Sequence, residues 1–294
     1  MTETASQRRT GIILVVAAAV AWSTAPFFTR LLPLDSWTIL FWRGLFGGSL
    51  IAAVLVLTQG FAGLSDLMRM GKSGWLVASL STLGMVSFIP ALQLTSVSNV
   101  AIIIATGPFV AAAMAWMWLG EAAHLRTLLA SLVALCGVAI IVSGAQANSD
   151  IIGIALACFM TVAIAGMTVT VRRHRNTPMV AAAALSNFLG SVVSIPFAHS
   201  IAAVTGTNLF VLAMFGFFQV AIGLSLFMLG SRMLPSGQAT LVATLETPLM
   251  PFWIWLAFAE VPALRVLIGG ALVMGAVIAD VIGDIGARTD HPPT

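Results

Sequence analysis

Residues 124–142, HLRTLLASLVALCGVAIIV, carry one formal charge, Arg126, in a run of about 19 residues, enough to cross a bilayer core as a helix. Comparable apolar runs begin near Gly11, Ser36, Ser73, Ser98, Ile151, Pro178, Asn208, Gly237 and Val261, each lasting about 19 to 24 residues. Membrane strands would alternate over segments of about ten residues instead. The expectation is an all-α integral membrane protein with ten transmembrane helices.

Composition narrows the chemistry. The chain is 60% hydrophobic and 8% charged, against about 25% charged residues in soluble domains. Ten helices and short loops use up the 294 residues, so binding or catalysis has to occur within the bundle. The pI near 9.7 accompanies a net charge of only +3, and the basic residues sit at helix ends as topology signals. Nucleic acid is not an expected partner; membrane lipid is. Cys136 and Cys158 lie in apolar helices without metal-ligand spacing and read as buried hydrophobes. No metal or cofactor is expected. Arg8 and Arg9 precede a run that loosely resembles a signal peptide, but it continues to Phe28 and reads as an uncleaved first span.

Charge placement sets the orientation. With the N-terminus inside, Arg8, Arg9, Arg69, Lys72, Arg126, Arg172, Arg173, Arg175, Arg232 and Arg288 fall on inside segments, and only Arg30 and Arg265 outside. Arg43 lies within the second span. Both termini are therefore expected in the cytoplasm.

The two halves echo each other. Glu121-Ala-Ala-His-Leu-Arg126 returns 139 residues later as Glu260-Val-Pro-Ala-Leu-Arg265. Gly84 and Phe88 match Gly223 and Phe227 in the same register. Gly107-Pro108 matches Thr247-Pro248 one residue later, which aligns Thr106 with Glu246. Two five-helix repeats are expected, 1–145 and 146–294. Five is odd, so the second enters the membrane upside down, the arrangement that lets two bundles rock around a midplane site.

These features resemble the drug/metabolite transporter superfamily in its ten-helix EamA-type branch. The resemblance rests on Pro108 with Trp118-Leu-Gly-Glu121, their echoes Pro248 and Ala259-Glu260, and Ala21-Trp22-Ser23 with Phe27 to Arg30 in helix one. A small Gly usually precedes the Glu; Ala259 departs from that pattern. Within the branch the chain most resembles the YddG-type aromatic amino acid exporters. The resemblance implies a central cavity bounded by helices one, three, four, six, eight and nine.

Counting inward from the helix ends places Trp22, Ser23, Ser87, Phe88, Thr106, Thr161, Gln219, Thr244 and Glu246 near the bilayer centre. With Asn99, Phe227 and Gln238 they are the candidate substrate-binding residues. Glu246 is the sharpest, because a carboxylate at the centre of a span costs about 2.5–3.5 kcal/mol on insertion scales. Either it pairs with Arg43, or it meets a substrate ammonium group or a transported proton. Pro26, Pro90, Pro108, Pro248 and Pro251 are candidate helix breaks, each freeing the carbonyl four residues earlier. Gly44 and Gly48 form a GxxxG pair, read as an internal packing notch.

The function expected from these residues is export of aromatic and other neutral amino acids and related small metabolites across a bacterial inner membrane, by alternating access, as a monomer or weak dimer. The alternative is an exporter of cationic compounds anchored on Glu246. No GxxxxGK[ST] motif supplies ATP binding. An enzyme would need HExxH, GxSxG or a similar constellation, which the sequence lacks. A channel would need charge rings or carbonyl filters.

Overall fold

The computed structural model describes residues 5–60, 70–95, 97–143, 151–175 and 177–289. Nearly all of them are helical, and no strand occurs among the described residues. Helix α1 runs Ala5–Ser23 and resumes as Ala25–Leu31; α2 is Ser36–Gln59 and α3 is Gly71–Leu94. Helix α4 is Val97–Ala105 followed by Gly107–Leu119, α5 is Leu125–Val142, α6 is Ile151–Arg173 and α7 is Met179–Ser194. Helix α8 runs Gly206–Phe215, widens into a π-helix over Gly216–Leu224 and finishes as Ser225–Ser231. Helix α9 is Ser236–Ala243 followed by Glu246–Phe258, and α10 is Leu264–Thr289. Nine apolar stretches among the described residues are long enough to span a membrane. The chain is an all-α, multi-span membrane protein.

Local chemistry fixes where the helices begin and end. Asp35 caps α2 by accepting from the Thr38 backbone N–H at 2.9 Å and the Thr38 hydroxyl at 2.6 Å. Thr205 accepts from the Asn208 N–H at the start of α8. Helix α4 stops at Gly120 with φ +67°, and α9 stops at Ala259 with φ +54°. The second motif therefore makes the same left-handed turn as the first despite lacking the glycine. A left-handed alanine is strained by roughly 1–2 kcal/mol. Ala259→Gly is expected to raise stability by about 0.5–1 kcal/mol, after the entropy of the unfolded chain is counted. A higher melting temperature in detergent with unchanged transport is the check; a lower one removes the strain argument.

Packing follows small residues. In α2, a methyl group on Gly44 would lie 2.6 Å from Ser191 Oγ and 2.9 Å from the Asn187 carbonyl oxygen of α7. Gly48 faces Phe188 and Ala184 of the same helix. The GxxxG pair is thus an internal notch between α2 and α7. Helices α5 and α10 meet backbone to backbone, a methyl on either Gly137 or Gly269 clashing with the other's carbonyl oxygen.

The most extensive helix pairs are α5 with α10, α3 with α6, α2 with α7, α1 with α8, α2 with α8 and α4 with α6. One register runs through them. Gly84 of α3 admits Ile164 of α6, and Gly223 of α8 admits Trp22 of α1. Gly84 and Gly223 are 139 residues apart, and Trp22 and Ile164 are 142 apart.

Cys136 and Cys158 are exposed on their helices rather than buried. A membrane helix is apolar on its outer face too, so hydropathy does not separate lipid-facing from core-facing positions.

Candidate transport pathway

Three helices break near mid-depth, and each break begins with a threonine. The hydroxyls of Thr24, Thr106 and Thr244 donate to the carbonyls of Ala21, Ile103 and Leu241, each at 2.6 Å. Pro26, Pro108 and Pro248 follow within a few residues and cannot donate to the preceding turn. The helices continue unbroken through Pro90 and Pro251; membrane helices tolerate proline where neighbouring groups satisfy the freed carbonyl. The fourth irregularity is the π-helix of α8, which contains Gln219.

These irregularities converge. Trp22 Nε1 donates to the Gln219 carbonyl at 3.0 Å, and its ring packs on Phe227 at 4.9 Å. Ser23 Oγ accepts from Trp253 Nε1 at 2.7 Å. The Arg43 guanidinium donates through Nη1 to Gln219 Oε1 and lies 5.3 Å from the Phe215 ring centre. Trp22, Ser23, Gln219 and Phe227 therefore belong to one polar and aromatic cluster joining α1, α2, α8 and α9. Glu246 opens the second half of α9, half-buried, with no hydrogen bond or ion pair to any described residue. It does not pair with Arg43. Trp253 lies seven residues beyond it, two helical turns along the same face.

The remaining candidates take other places. Thr161 is buried, donates to the Ala157 carbonyl at 2.9 Å and faces Gly107 at the α4 break. Thr106 and Thr244 mark the breaks themselves. Ser87 is buried, and Phe88 packs against a small cluster of Ala91, Val100 and Ala157. The side chain of Asn99 lies outside the described residues. Gln238 sits apart from the central cluster. Its Oε1 accepts from Arg8 Nη2 at 2.7 Å, and its Nε2 donates to Asp280 Oδ2 at 2.8 Å. Thr127 Oγ1 donates to the other Asp280 oxygen at 2.8 Å, with Arg126 Nε 3.5 Å away. Asp280 is fully buried and Gln238 is 1% exposed. This network ties α1, α5, α9 and α10 together at one end of the bundle.

Each end also carries an ion pair. At the end holding Asp280, Glu121 Oε1 accepts from Arg172 Nη2 at 2.7 Å and Nε at 2.8 Å. At the opposite end of α9, Glu260 pairs with Arg30 through both guanidinium Nη atoms, and Arg30 lies over the Phe258 ring at 4.9 Å. Hydrogen bonding from Arg30 holds the Glu260 carboxyl below its ordinary 4.5. The Arg172 side chain is 7% exposed and Arg30 46%, so the first ion pair is the better shielded. An open groove of about 350 Å³ lies at the second end between Pro26, Met250, Pro251, Ile254 and Glu260 to Pro262.

Glu121 and Glu260 are 139 residues apart, and Arg30 and Arg172 are 142 apart. The same two offsets relate the glycine contacts of α3 and α8.

Comparison with known proteins agrees with this architecture. A crystal structure of a protein 19% identical in sequence superposes with a TM-score of 0.82, over 94% of this chain and 98% of its own. That likeness is one of fold. No curated protein matches the chain. Residues 9–143, which include the first break, Arg43, the α4 break and Glu121, match the EamA-like transporter family. The first half of the chain is thus similar to the EamA-like transporter family.

Proposed function

We propose that the protein is a secondary transporter that exports aromatic and other neutral amino acids by alternating access. The observation that carries this reading is the pair of ion pairs, Glu121–Arg172 and Glu260–Arg30. They lie at opposite ends of the bundle and share the offsets of the helix contacts between them. Two inverted five-helix repeats, 1–145 and 146–294, account for those offsets. Each repeat closes one end, and the broken helices lie between. On the charge-derived orientation, the Glu121 end faces the cytoplasm of a bacterium. The groove and more exposed ion pair at the Glu260 end then describe a state opening outward.

Amino acids suit the centre. The half-buried Trp22, backed by the buried Phe227, offers an aromatic surface, and broken helices offer carbonyls to an ammonium group. The test is counterflow in proteoliposomes loaded with unlabelled amino acids, following labelled phenylalanine and threonine. Uptake that requires internal amino acid supports the reading. Entry of neither label above empty liposomes sinks it.

A second reading, export of organic cations, draws support from the unpaired Glu246. Glu246→Gln separates the two. For amino acids it is expected to lower phenylalanine counterflow at least tenfold while leaving the protein folded, by removing one ammonium contact (about 1.5–3 kcal/mol for a charged hydrogen bond). An exporter of organic cations is expected to lose cation uptake instead, with no phenylalanine uptake in either form.

A further inference from the structure

Arg43 is an unusual cation. It lies in the interior of α2, and its guanidinium makes one hydrogen bond, from Nη1 to Gln219 Oε1. Nε is buried with no partner among the described residues, and Nη2 has no acceptor there either. The described carboxylates do not answer this charge. Asp35 binds Thr38, Glu121 binds Arg172, Glu260 binds Arg30, and Asp280 binds Gln238 and Thr127. Glu246 stands without a partner. Two opposite charges are thus held inside the membrane and left unpaired, although each is costly there.

Both charges lie within the span, Arg43 about 10 Å into α2 from Ser36 with its side chain reaching Gln219. Helices α2 and α8 start at the Glu260 end, where Trp42 Nε1 donates to the Ile201 carbonyl and Thr38 Oγ1 accepts from the Ser200 N–H. At 1.5 Å per residue, Gln219, the acceptor for Arg43, lies about 20 Å into α8, counted from Gly206. Glu246 lies about 15 Å into α9 from the other end, which leaves about 20 Å to the Glu260 end of that helix. Between them runs the chain of contacts through Trp22, Ser23 and Trp253.

We propose that Arg43, aimed by Gln219, is the carboxylate anchor for a zwitterionic substrate whose ammonium group meets Glu246. A guanidinium fork matches a carboxylate in geometry and charge. Phe215 packs on the guanidinium and limits its movement, while Nε and Nη2 stay without a partner among the described residues. One zwitterion supplies a partner to each charge and enters with no net charge of its own. A simple cation or anion relieves only one of the two. This inference rests on the amino-acid reading above and adds the requirement for the carboxylate.

The test is counterflow with labelled phenylalanine, 2-phenylethylamine, which lacks the carboxylate, and 3-phenylpropanoate, which lacks the ammonium. The wild-type protein is expected to prefer phenylalanine at least tenfold over both. Arg43→Gln is expected to cut phenylalanine uptake at least tenfold and leave 2-phenylethylamine uptake unchanged, bringing their ratio near one. Arg43→Lys is expected to restore part of the preference, keeping the charge without the fork. A structural role lowers every substrate alike, and an equal loss in Arg43→Gln overturns the proposal while the amino-acid reading stands. Absence of phenylalanine uptake by the wild type removes that reading and the proposal with it. Should Arg43→Gln fail to fold, competition against wild-type phenylalanine uptake decides. Either analogue competing as well as unlabelled phenylalanine overturns the proposal; competition by neither upholds it.

Discussion

Replacing Asp280 with alanine is expected to abolish the folded protein at ordinary growth temperature. Asp280 is fully buried and receives Gln238 Nε2 and Thr127 Oγ1 on its two oxygens, with Arg126 close by. Gln238 in turn uses its own oxygen for Arg8, which is itself only 4% exposed. Removing the carboxylate leaves the Gln238 amide and the Thr127 hydroxyl unsatisfied and takes the counter-charge from the basic groups. Breaking a buried charge pair by removing one partner costs about 3–5 kcal/mol, a large fraction of a typical total stability. Asp280→Asn is graded. Its oxygen can still accept from Gln238, and its amide can donate to the Thr127 hydroxyl, so the loss reduces to the charge facing Arg126, about 1–2 kcal/mol. Thermal unfolding in detergent, followed by size-exclusion profile, measures both. Equal mild losses for the two variants would show that Gln238 and Thr127 find other partners and that the network is not what joins the four helices.

That network also marks how far the sequence alone reaches. The helices were legible because span length is a one-dimensional property: apolar runs of about 20 residues have few other uses. The proline breaks were half legible. Pro26, Pro108 and Pro248 follow real interruptions, whereas the helices continue through Pro90 and Pro251, since tolerance of proline depends on neighbours that sequence does not place. Cys136 and Cys158 were misplaced for a related reason, lipid being as apolar as the core. Arg8 read as a topology charge at a helix end, and nothing local reveals that Gln238 and Asp280 join it from residues far along the chain. Gln238 looked like a pathway residue because it is polar within a span; its hydrogen bonds tie it to Arg8 and Asp280 instead. The π-helix around Gln219 carries no sequence signal of its own. Ala259 shows the reverse case, where the sequence departed from a pattern and the backbone kept it, φ +54° standing beside +67° at Gly120.

Locking either end is expected to stop counterflow nearly completely, and unlocking it to restore the rate. If Glu121–Arg172 and Glu260–Arg30 are alternating gates, each must part once per cycle. In a protein with Cys136 and Cys158 replaced by alanine, Arg30→Cys with Glu260→Cys, or Glu121→Cys with Arg172→Cys, bridged by a thiol-specific crosslinker with a reducible arm, supplies the lock. The expected loss is at least tenfold for each pair, reversed by reductant. Single cysteine variants without crosslinker separate the lock from mere loss of the ion pair. The Arg30–Glu260 pair is exposed, and such pairs contribute only about 0–1 kcal/mol. Arg30→Cys alone is therefore expected to keep most of the activity. The Glu121–Arg172 pair is better shielded, so Arg172→Cys is expected to shift the protein toward the state open at that end, read as faster labelling of a cysteine placed at Ala112 on α4. The pH dependence follows in sign. Glu260 has a lowered pKa, so its pairing is intact above the ordinary carboxylate range and fails only as pH falls through that lowered value. Any change of rate between about pH 6 and pH 8 then has to arise from another group, because the Arg30–Glu260 pair stays ionised throughout that window. A lock at one end that leaves counterflow intact would mean that this end never gates the pathway, and the symmetric mechanism would fail there.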